Sequence, residues 1–311
     1  MAYALGVDIG GTSIKAGLLT DDGELLDVAR VPTHGVADQE VFEELLGKLA
    51  DMCAKHGVAE GDVAGVGMDI PGPVDADGHV LFLPNINFDP EAGTKRLKEA
   101  YPNTKVVILN DANAAILGEM WRGSASGYKN VVLLALGTGV GGGIVVDGNL
   151  VNGAFGGGGE IGHITVKPDE TRTCGCGRKG CLEQYASAKG VIQVYLDACE
   201  RRGMEPVELR HATDTIALFD ALVNGDPCAS MAVDTMVDRL GFAMAQIGCV
   251  VDPEVFLVGG GVANGYNVFD RELRAAYERY ALKSGLDAKI LPCQLGNDAA
   301  MYGSAYLALN A

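Results

Sequence analysis

Two similar stretches decide the fold that this chain is expected to adopt. Residues 3–23 read YALGVDIGGTSIKAGLLTDDG, and residues 131–148 read VVLLALGTGVGGGIVVDG. In each stretch an apolar strand ends in a glycine-rich turn, a second strand follows at once, and an Asp-Gly pair turns the chain again. The repeated order of elements indicates an internal duplication at low sequence identity. Two such hairpins would present two sets of backbone amides to one polyphosphate.

The rest of the chain alternates helices with buried strands. Between residues 41 and 53, apolar side chains recur at three- and four-residue spacing, which predicts an amphipathic helix. Further strands are expected at residues 25–31, 63–70, 105–109 and 255–258, and further helices just after Asp111 and at residues 191–201, 215–223, 229–250, 268–282 and 298–309. Because the chain contains no linker-like segment, a hinge between domains is expected after Asp111 and again near Asn297.

Composition and charge exclude several classes of partner. With 311 residues, the chain is long enough for two domains, each with its own core. Its formal net charge of 24 − 41 = −17 argues against nucleic-acid backbones and anionic membrane surfaces as partners. A nucleotide remains possible if glycine amides and Mg²⁺ neutralise its phosphates. The N-terminus lacks a signal-peptide pattern and no apolar run is long enough to span a membrane, so we expect a cytoplasmic protein.

A cluster of cysteines offers the ligands of a metal site. Cys174, Cys176 and Cys181 follow His163, and three thiolates with one imidazole form a donor set that tetrahedral zinc accepts. The Cys-x-Cys spacing is tighter than the usual Cys-x₂₋₄-Cys of zinc modules. In a reducing cytosol the cluster favours metal binding over a disulfide. The other five cysteines stand among apolar neighbours and are interpreted as small core residues.

Glycine turns after buried strands are the candidate phosphate sites. Gly10, Gly11 and Thr12, with Lys15 downstream, can offer backbone amides, a hydroxyl and an ammonium to anionic oxygens. The spacing is not that of a Walker A loop, and taken alone a tight β-turn explains the glycines at least as well. Asp8, at the strand end, is placed to hold Mg²⁺ through water. Residues 259–261 form another glycine turn, between a strand and a helix.

Asn110 and Asp111 are the candidate catalytic pair. They stand where an apolar strand ends and a helix begins, and open α/β sheets place active sites at the carboxyl ends of their strands. The alternative is that either residue merely caps the helix, because Asn and Asp are the residue types that most often do so.

These motifs together resemble the ROK family of bacterial sugar kinases, and its glucokinases most of all. The pairing of Glu-x-Gly-His with Cys-x-Cys-x₄-Cys is very specific, whereas the glycine turns are shared with the wider actin, Hsp70 and hexokinase fold. The matching motifs are Gly6-Val7-Asp8-Ile9-Gly10-Gly11-Thr12, Pro71-Gly72-Pro73-Val74-Asp75, Asn110-Asp111-Ala112-Asn113-Ala114, Leu136-Gly137-Thr138-Gly139-Val140-Gly141-Gly142-Gly143, Gly159-Glu160-Ile161-Gly162-His163, Cys174-Gly175-Cys176-Gly177, Gly180-Cys181-Leu182-Glu183 and Val258-Gly259-Gly260-Gly261.

The resemblance implies a fold, a reaction and an assembly. The fold would be α/β, with two ribonuclease-H-like domains of the actin/hexokinase type and an active site in the cleft between them. Residues 1–112 would form the small domain, joined by a C-terminal helix at 298–311, and residues 113–297 the large domain with the zinc loop. The reaction would be ATP-dependent phosphorylation of glucose at its 6-hydroxyl, and the assembly a homodimer.

The resemblance also implies a role for each site residue. Asp111 would be the catalytic base, and a closed four-ligand zinc site would be structural, orienting the loop that bears His163 and Glu183. The sugar-binding residues would be Asn85, Asn110, Asp111, Glu160, His163 and Glu183. The residues that bind nucleotide and Mg²⁺ would be Asp8, Gly10, Gly11, Thr12, Lys15, Gly137, Thr138, Gly139, Gly260 and Gly261. The zinc ligands would be His163, Cys174, Cys176 and Cys181.

Three other functions compete with a glucokinase. Transcriptional repressors of the same family carry an N-terminal helix-turn-helix domain, but here the first strand is expected at residue 3 and the charge disfavours DNA. A non-catalytic sugar sensor would not need Asp111 beside an intact phosphate hairpin. A kinase for N-acetylglucosamine, N-acetylmannosamine or fructose remains open, since residues around Asn85 and at 153–159 decide the sugar.

Overall fold

The computed structural model of the chain describes residues 2–33, 38–75, 78–81 and 89–311. Asn85, one of the predicted sugar contacts, lies outside the described residues. The chain forms two compact units. The first unit is Met1–Gly127, Leu150–Gly158 and Gln294–Ala311, and the second unit is Tyr128–Asn149 and Gly159–Cys293.

Strands and helices alternate through the described residues. The strands are β1 Tyr3–Ile9, β2 Ser13–Thr20, β3 Leu25–Pro32, β4 Val63–Ile70, β5 Lys105–Asn110, β6 Val131–Leu136, β7 Val140–Val146, β8 Asn149–Leu150, β9 Val255–Gly259 and β10 Lys289–Pro292. The helices are α1 Asp38–Lys55, α2 Pro90–Ala100, α3 Asp111–Arg122, α4 Glu183–Ala186, α5 Ala188–Arg202, α6 Thr215–Val223, α7 Pro227–Val251, α8 Tyr266–Tyr280 and α9 Ala299–Asn310. Each strand and helix predicted from sequence is present, within a few residues at its ends.

The predicted duplication is confirmed by the topology of the two sheets. The first unit has a five-stranded sheet in the order β3-β2-β1-β4-β5, and the second has one in the order β10-β9-β6-β7-β8. In both sheets the two strands of the glycine-turn hairpin are antiparallel: β1 with β2, and β6 with β7. The next two strands on the side of β1 and of β6 are parallel: β4 and β5 in the first sheet, β9 and β10 in the second. The strands β3, β2, β1, β4 and β5 of the first sheet therefore correspond in position to β8, β7, β6, β9 and β10 of the second.

Each unit has its own apolar core. In the first unit, β1, β2 and β4 pack their apolar side chains against α1, with Phe42, Leu45 and Leu49 fully buried. In the second unit the long helix α7 packs against α5 and α8, and its buried side chains share one apolar core with those of the strands β6 and β9. The apolar spacing of α1 and the length of α7 are therefore explained by burial of one helix face in each core.

The last helix, α9, belongs to the first unit. It lies so close to the sheet that a Cβ on Gly6 would overlap the carbonyl of Met301, and a Cβ on Gly67 that of Ser304. On its other side, a Cβ on Gly303 would overlap the carbonyl of Ala114 in α3. Glycines at these positions are required by close approach of the backbones.

The bounds of the two units differ from the predicted domains 1–112, 113–297 and 298–311. The first unit continues through α3 to Gly127 and also takes in residues 150–158. The physical reason is that α3 packs closely along α9. Sequence patterns give the ends of a helix but not the elements that it packs against.

Three short elements were not predicted: α2, α4 and β10. In α2 only Gly93 and Leu97 are buried, which is too sparse a pattern to identify a helix from apolar spacing. The strand β10 has 4 residues, none of them fully buried. Of the three, α4 carries a predicted site residue, Glu183.

Among the described residues, no single helix is long and apolar enough to cross a membrane. The helices α6 and α7 pass that criterion only when they are taken together, across a bend of 114°.

Candidate functional site

The first glycine turn joins β1 and β2 in the first unit. Gly10 donates its backbone N–H to the carbonyl of Ser13 at 3.1 Å, so the residues do form the tight turn that was the alternative explanation. Gly11 and Thr12 at its tip are nevertheless exposed. Their exposure keeps the tip of the turn open to an anionic ligand.

Lys15 lies away from the tip of this turn. Its ammonium donates to Asp298 Oδ1 at 2.9 Å and to the carbonyl of Asn297, and the residue is only 4% exposed. The predicted phosphate contact would require this ion pair, which is buried on the Lys15 side only, to open. In the structure Lys15 instead joins β2 to the N-terminal end of α9.

A carboxyl group that the sequence analysis missed, Asp69, lies beside Asp8. The two residues are direct partners in the parallel pairing of β1 with β4. Asp69 is fully buried, and among the described residues neither of its carboxylate oxygens has a hydrogen-bond partner. Burial, reinforced by the charges of Asp8 and Asp111, holds the pKa of Asp69 well above its usual range. The signal in the sequence is one acidic residue inside an otherwise apolar strand.

Asp8 is partly exposed at the end of β1, and burial raises its pKa as well. A carboxylate oxygen beside an exposed glycine turn has the chemistry that hydrated Mg²⁺ accepts. The position of Asp8 therefore fits the predicted magnesium contact through water.

Asn110 and Asp111, at the end of β5, differ in their hydrogen bonds. Asn110 is the N-cap of α3: its Oδ1 accepts from the N–H of Ala112 at 3.0 Å and of Asn113 at 3.2 Å. Its amide also donates to the carbonyl of Gly72 at 3.0 Å. Asp111 is the first residue of the helix and remains partly exposed. The capping explanation is thus correct for Asn110. Asp111 Oδ1 also accepts from the N–H of Ala112, at 2.8 Å, and its carboxylate lies at the end of β5, where a base was predicted.

A cavity of about 800 Å³ borders β5 in the first unit. Asn110 and Asn152 are among its lining residues. Asn152 Oδ1 accepts from the buried Asn113 side chain at 3.2 Å, which ties residues 150–158 to the start of α3. The sequence analysis missed Asn113 and Asn152, because single asparagines follow no pattern that identifies them.

The second glycine turn joins β6 and β7 in the second unit. Gly137 donates its N–H to the carbonyl of Gly139 at 2.9 Å, and Thr138 is exposed at the tip. Just after the turn, the N–H of Val140 donates to Glu183 Oε2 at 3.1 Å. A side chain that was predicted to hold the sugar therefore also contacts this turn.

The third glycine turn lies against the second. Gly260 follows β9 with a φ of +82°, which favours glycine, and a Cβ there would stand 2.5 Å from the carbonyl group of Leu136. Leu136 directly precedes Gly137 in the chain. The structure therefore brings two of the three predicted glycine turns together within the second unit.

The predicted metal ligands converge in the same unit. One ligand atom from each of His163, Cys174, Cys176 and Cys181 lies within 4.8 Å of every other. Cys176 Sγ and Cys181 Sγ are 3.7 Å apart, and Cys174 Sγ is 3.9 Å from His163 Nδ1. Tetrahedral zinc with bonds of about 2.3 Å to sulfur holds two sulfurs about 3.8 Å apart, so the cluster fits zinc.

Burial opposes ionisation of two of the three thiols, Cys174 and Cys181. Burial, with Cys176 and Cys174 as neighbours, raises the pKa of Cys181 to about 12, and burial raises that of Cys174 as well. Cys176 is exposed, and its pKa is lowered because hydrogen bonds outweigh the effect of burial. A bound divalent cation would stabilise all three thiolates.

Three predicted sugar-binding residues of the second unit, Glu160, His163 and Glu183, belong to this cluster or lie near it in the chain. His163 ends a short helical turn at Ile161–His163 and joins the cluster, while the neighbouring Glu160 is exposed. Glu183 Oε1 lies 3.6 Å from Cys174 Sγ. Of the three, only Glu183 has recorded side-chain contacts both with the cluster and with a glycine turn.

A further carboxylate that the sequence analysis missed, Glu170, fastens the helix that carries Glu183. Glu170 Oε2 accepts from the Arg172 guanidinium at 3.1 Å and from the Tyr185 hydroxyl. Burial opposes ionisation of Glu170, but these bonds and backbone donors hold its pKa below its usual range. Tyr185 belongs to α4, as does Glu183. No motif marks Glu170 in the sequence, since its partners are brought to it by folding.

Comparison with known proteins gives the same picture over the whole chain. A glucokinase of Halalkalibacterium halodurans is 36% identical, over 98% of this chain and 94% of that protein. An N-acetyl-D-glucosamine kinase of Citrobacter koseri is 31% identical, over 98% of each. The crystal structure of a ROK family glucokinase from Streptomyces griseus, in complex with glucose and AMPPNP, matches with a TM-score of 0.78 and 32% identity over 100% of both chains.

These likenesses confirm the expected fold class, two α/β domains of the actin/hexokinase type. The model of the family described as ROK matches residues 4–311. With that match, and with relatives above 30% identity along its full length, the chain belongs to the ROK family.

Proposed function

We propose that this chain is a glucokinase, which transfers the γ-phosphoryl group of ATP to the 6-hydroxyl of glucose. The observation that carries the proposal is the full-length likeness to glucokinases, one of them solved with glucose and an ATP analogue. The chain's own geometry supports it with a partly exposed carboxylate, Asp111, at the carboxyl end of β5. That edge of an open sheet is where α/β proteins place their active sites.

Asp111 acts in this proposal as the general base. It accepts the proton of the sugar hydroxyl while that oxygen attacks the γ-phosphorus, and such help contributes about 10²–10⁴-fold to the rate. Asn110 fixes the start of α3 through its cap and thereby orients the neighbouring carboxylate. Positioning and neutralisation of phosphate charge supply the remaining acceleration.

The remaining sugar contacts are assigned as predicted from the sequence. We assign Asn110, Glu160, His163 and Glu183 to the other hydroxyls of the sugar. Carboxylates accept hydrogen bonds from hydroxyls, and an imidazole nitrogen not used by a metal can donate or accept one. Asn85 keeps its predicted role as a sugar contact.

The nucleotide is assigned to the glycine turns. Backbone amides of Gly10, Gly11, Thr12, Gly137, Thr138 and Gly139 bind the phosphates, and Gly260 with Gly261 accommodates the adenosine. Mg²⁺, when bound, neutralises phosphate charge, and Asp8 holds its water shell from the end of β1. Lys15 contributes to the phosphates only if its ion pair with Asp298 opens.

Zinc has a structural role in this proposal. Four protein ligands close a tetrahedral site and leave no position for substrate, so the ion organises the loop around residues 163–183. We also infer a cytoplasmic homodimer without nucleic-acid or membrane partners. The net charge of −17 disfavours nucleic acid and anionic membranes, and the eight free thiols fit a reducing compartment. The homodimer is inferred from the family resemblance.

The second candidate function is phosphorylation of an N-acetylhexosamine. It is favoured by the relative that phosphorylates N-acetyl-D-glucosamine, which is only slightly less identical to this chain than the glucokinases are. The two functions share every assigned role and differ only in the sugar.

The experiment is ADP formation from ATP across a sugar panel: glucose, N-acetylglucosamine, N-acetylmannosamine and fructose, with a no-sugar control. We expect the highest kcat/KM with glucose. A higher kcat/KM for an N-acetylhexosamine would transfer the assignment to the second candidate. Absence of sugar-dependent ADP formation in a folded protein that still binds sugar would identify a sensor.

A further inference from the structure

One carboxylate in the second unit connects two predicted sites. Glu183 Oε2 accepts a hydrogen bond from the backbone N–H of Val140 at 3.1 Å, and Glu183 Oε1 lies 3.6 Å from Cys174 Sγ. Val140 ends the glycine turn and Cys174 belongs to the metal cluster. Glu183 therefore bridges the metal cluster and the turn that is assigned to phosphate.

The turn depends strongly on this contact because it has little else to hold it. Gly137 and Gly139 have no side chains, so packing cannot fix their backbone. Gly139 lies so close to the Glu183 carboxylate that a Cβ there would be 2.5 Å from Oε2. Two further backbone bonds hold this segment: the N–H of Gly137 donates to the carbonyl of Gly139 at 2.9 Å, and the N–H of Ala188 donates to the carbonyl of Gly137 at 2.8 Å. The orientation of the amides at the tip thus depends on where Glu183 is held.

Glu183 is in turn held from the side of the metal loop. Its neighbour Gln184 accepts from the N–H of Gly180 at 2.8 Å and of Cys181 at 3.1 Å, and donates to the carbonyl of Arg172 at 3.1 Å. These bonds fix the short helix α4 to the loop that the metal ligands close. An ordered metal loop is therefore needed for an ordered α4.

We propose that Glu183 is a positioning residue for the nucleotide. An ordered metal loop fixes the position of Glu183, and Glu183 in turn fixes the backbone of the Gly137–Gly139 turn. The inference rests on the assignment of that turn to the phosphates of ATP. It adds to the sugar contact assigned to Glu183, because a carboxylate offers about four acceptor sites. Its consequence is that metal binding and nucleotide binding are coupled: each changes the free energy of the other.

The test measures binding of AMPPNP with Mg²⁺ by calorimetry in the absence of sugar, so that a sugar contact cannot affect the result. Glu183→Ala should weaken binding about fivefold to tenfold, as expected for loss of one hydrogen bond of ordinary strength. Glu183→Gln should stay within about threefold of wild type, since its amide oxygen still accepts from Val140. Equal losses in the two variants would contradict a hydrogen-bonding role.

Glu160→Gln is the matched control. Glu160 is another carboxylate assigned to the sugar, but its side chain is exposed, whereas that of Glu183 accepts a hydrogen bond from Val140 after the turn. We expect weaker glucose binding and unchanged AMPPNP binding from this variant. AMPPNP affinity at the wild-type level in Glu183→Ala would overturn the proposal.

A double-mutant cycle tests the link to the metal. Chelator-treated wild type, shown to be folded by circular dichroism, should lose AMPPNP affinity to about the same extent as Glu183→Ala. Chelation of Glu183→Ala should then add little. Additive losses, or unchanged affinity in the stripped wild type, would refute the coupling.

This outcome is separable from the proposed activity. If wild type phosphorylates glucose and Glu183→Ala binds AMPPNP normally, only the positioning role fails. If wild type binds AMPPNP but phosphorylates no sugar, the proposed activity fails while the positioning role is still measured.

Discussion

Asp111 and Asn110 are neighbours in the chain, yet the fold gives them different tasks. The side-chain oxygen of Asn110 accepts hydrogen bonds from two backbone N–H groups of α3, and its amide group donates to the carbonyl of Gly72. Asp111, one position later, keeps a partly exposed carboxylate. The cap therefore fixes the backbone from which the proposed base projects.

Replacing Asp111 with Asn should lower kcat by at least the roughly 10²–10⁴-fold that general-base catalysis contributes. The amide is nearly isosteric but cannot accept the proton, so glucose binding should change little. Steady-state kinetics and calorimetry with glucose measure the two effects. The control is Asp51→Asn, an exposed position on α1, which should behave as wild type. Turnover near the wild-type rate in Asp111→Asn would refute the assignment.

Asp69 makes stability depend on pH in a particular direction. Its pKa is raised in the folded chain by burial and by Asp8 and Asp111, whereas in the unfolded chain it is about 3.9. Between these two values the folded state binds more protons than the unfolded state. The Asp69 contribution to the free energy of unfolding therefore falls as pH rises through this window.

Asp69→Asn should accordingly unfold at a higher temperature than wild type at pH 7, and this gain should shrink as the pH approaches 4. The amide stays neutral and can donate to Asp8. Calorimetric scans of both proteins across that pH range measure the difference. A gain that grows toward acid pH would show that Asp69 is ionised in the folded chain.

The helix α9 is held by backbone contacts that only glycine permits. Gly303→Ala would push a methyl group into the carbonyl of Ala114, and overpacking of this kind costs about 1–3 kcal/mol. Thermal unfolding should therefore begin at a lower temperature. Gly47→Ala is the matched control: it is an exposed helical glycine with open space around its Cβ position, so it should stabilise by about 0.5–1 kcal/mol. Equal midpoints for the two variants would contradict this packing.

The metal loop gives a second prediction at the level of a single segment. We expect about one zinc ion per purified chain, because the four-ligand cluster is closed. Cys181→Ser should lose the zinc and unfold at a lower temperature, since the folding energy supplied by metal ligation is removed. Cys249→Ser, at an exposed thiol outside the cluster, should keep both. Elemental analysis and thermal scans decide; full zinc content in Cys181→Ser would refute the ligand set.

The molecule as a whole consists of two units with the same sheet order and separate cores. Removal of zinc should therefore increase amide hydrogen exchange in the second unit and leave the first largely protected. Mass spectrometry of exchanged peptides should show the change around residues 159–186 and not in β1, β4 and β5. Equal loss of protection in both sheets would show that the units unfold as one.

Local sequence patterns predict much of this organisation. Alternating apolar strands, glycine turns and Asp-Gly pairs predicted both hairpins, and hence the duplication, because turn and strand preferences act between close neighbours. The spacing of one histidine and three cysteines predicted a ligand set that the structure brings within bonding distance of one ion. These features needed no knowledge of which elements meet.

Other features arise only when distant segments pack together. The burial of Asp69 beside Asp8, the ion pair that removes Lys15 from the turn, and the bridge from Cys174 through Glu183 to Val140 join residues from separate elements. The same is true of α3, which its packing on α9 places in the first unit. Desolvation, close approach and hydrogen bonding between such elements depend on three-dimensional distance, which periodicity and spacing along the chain do not contain.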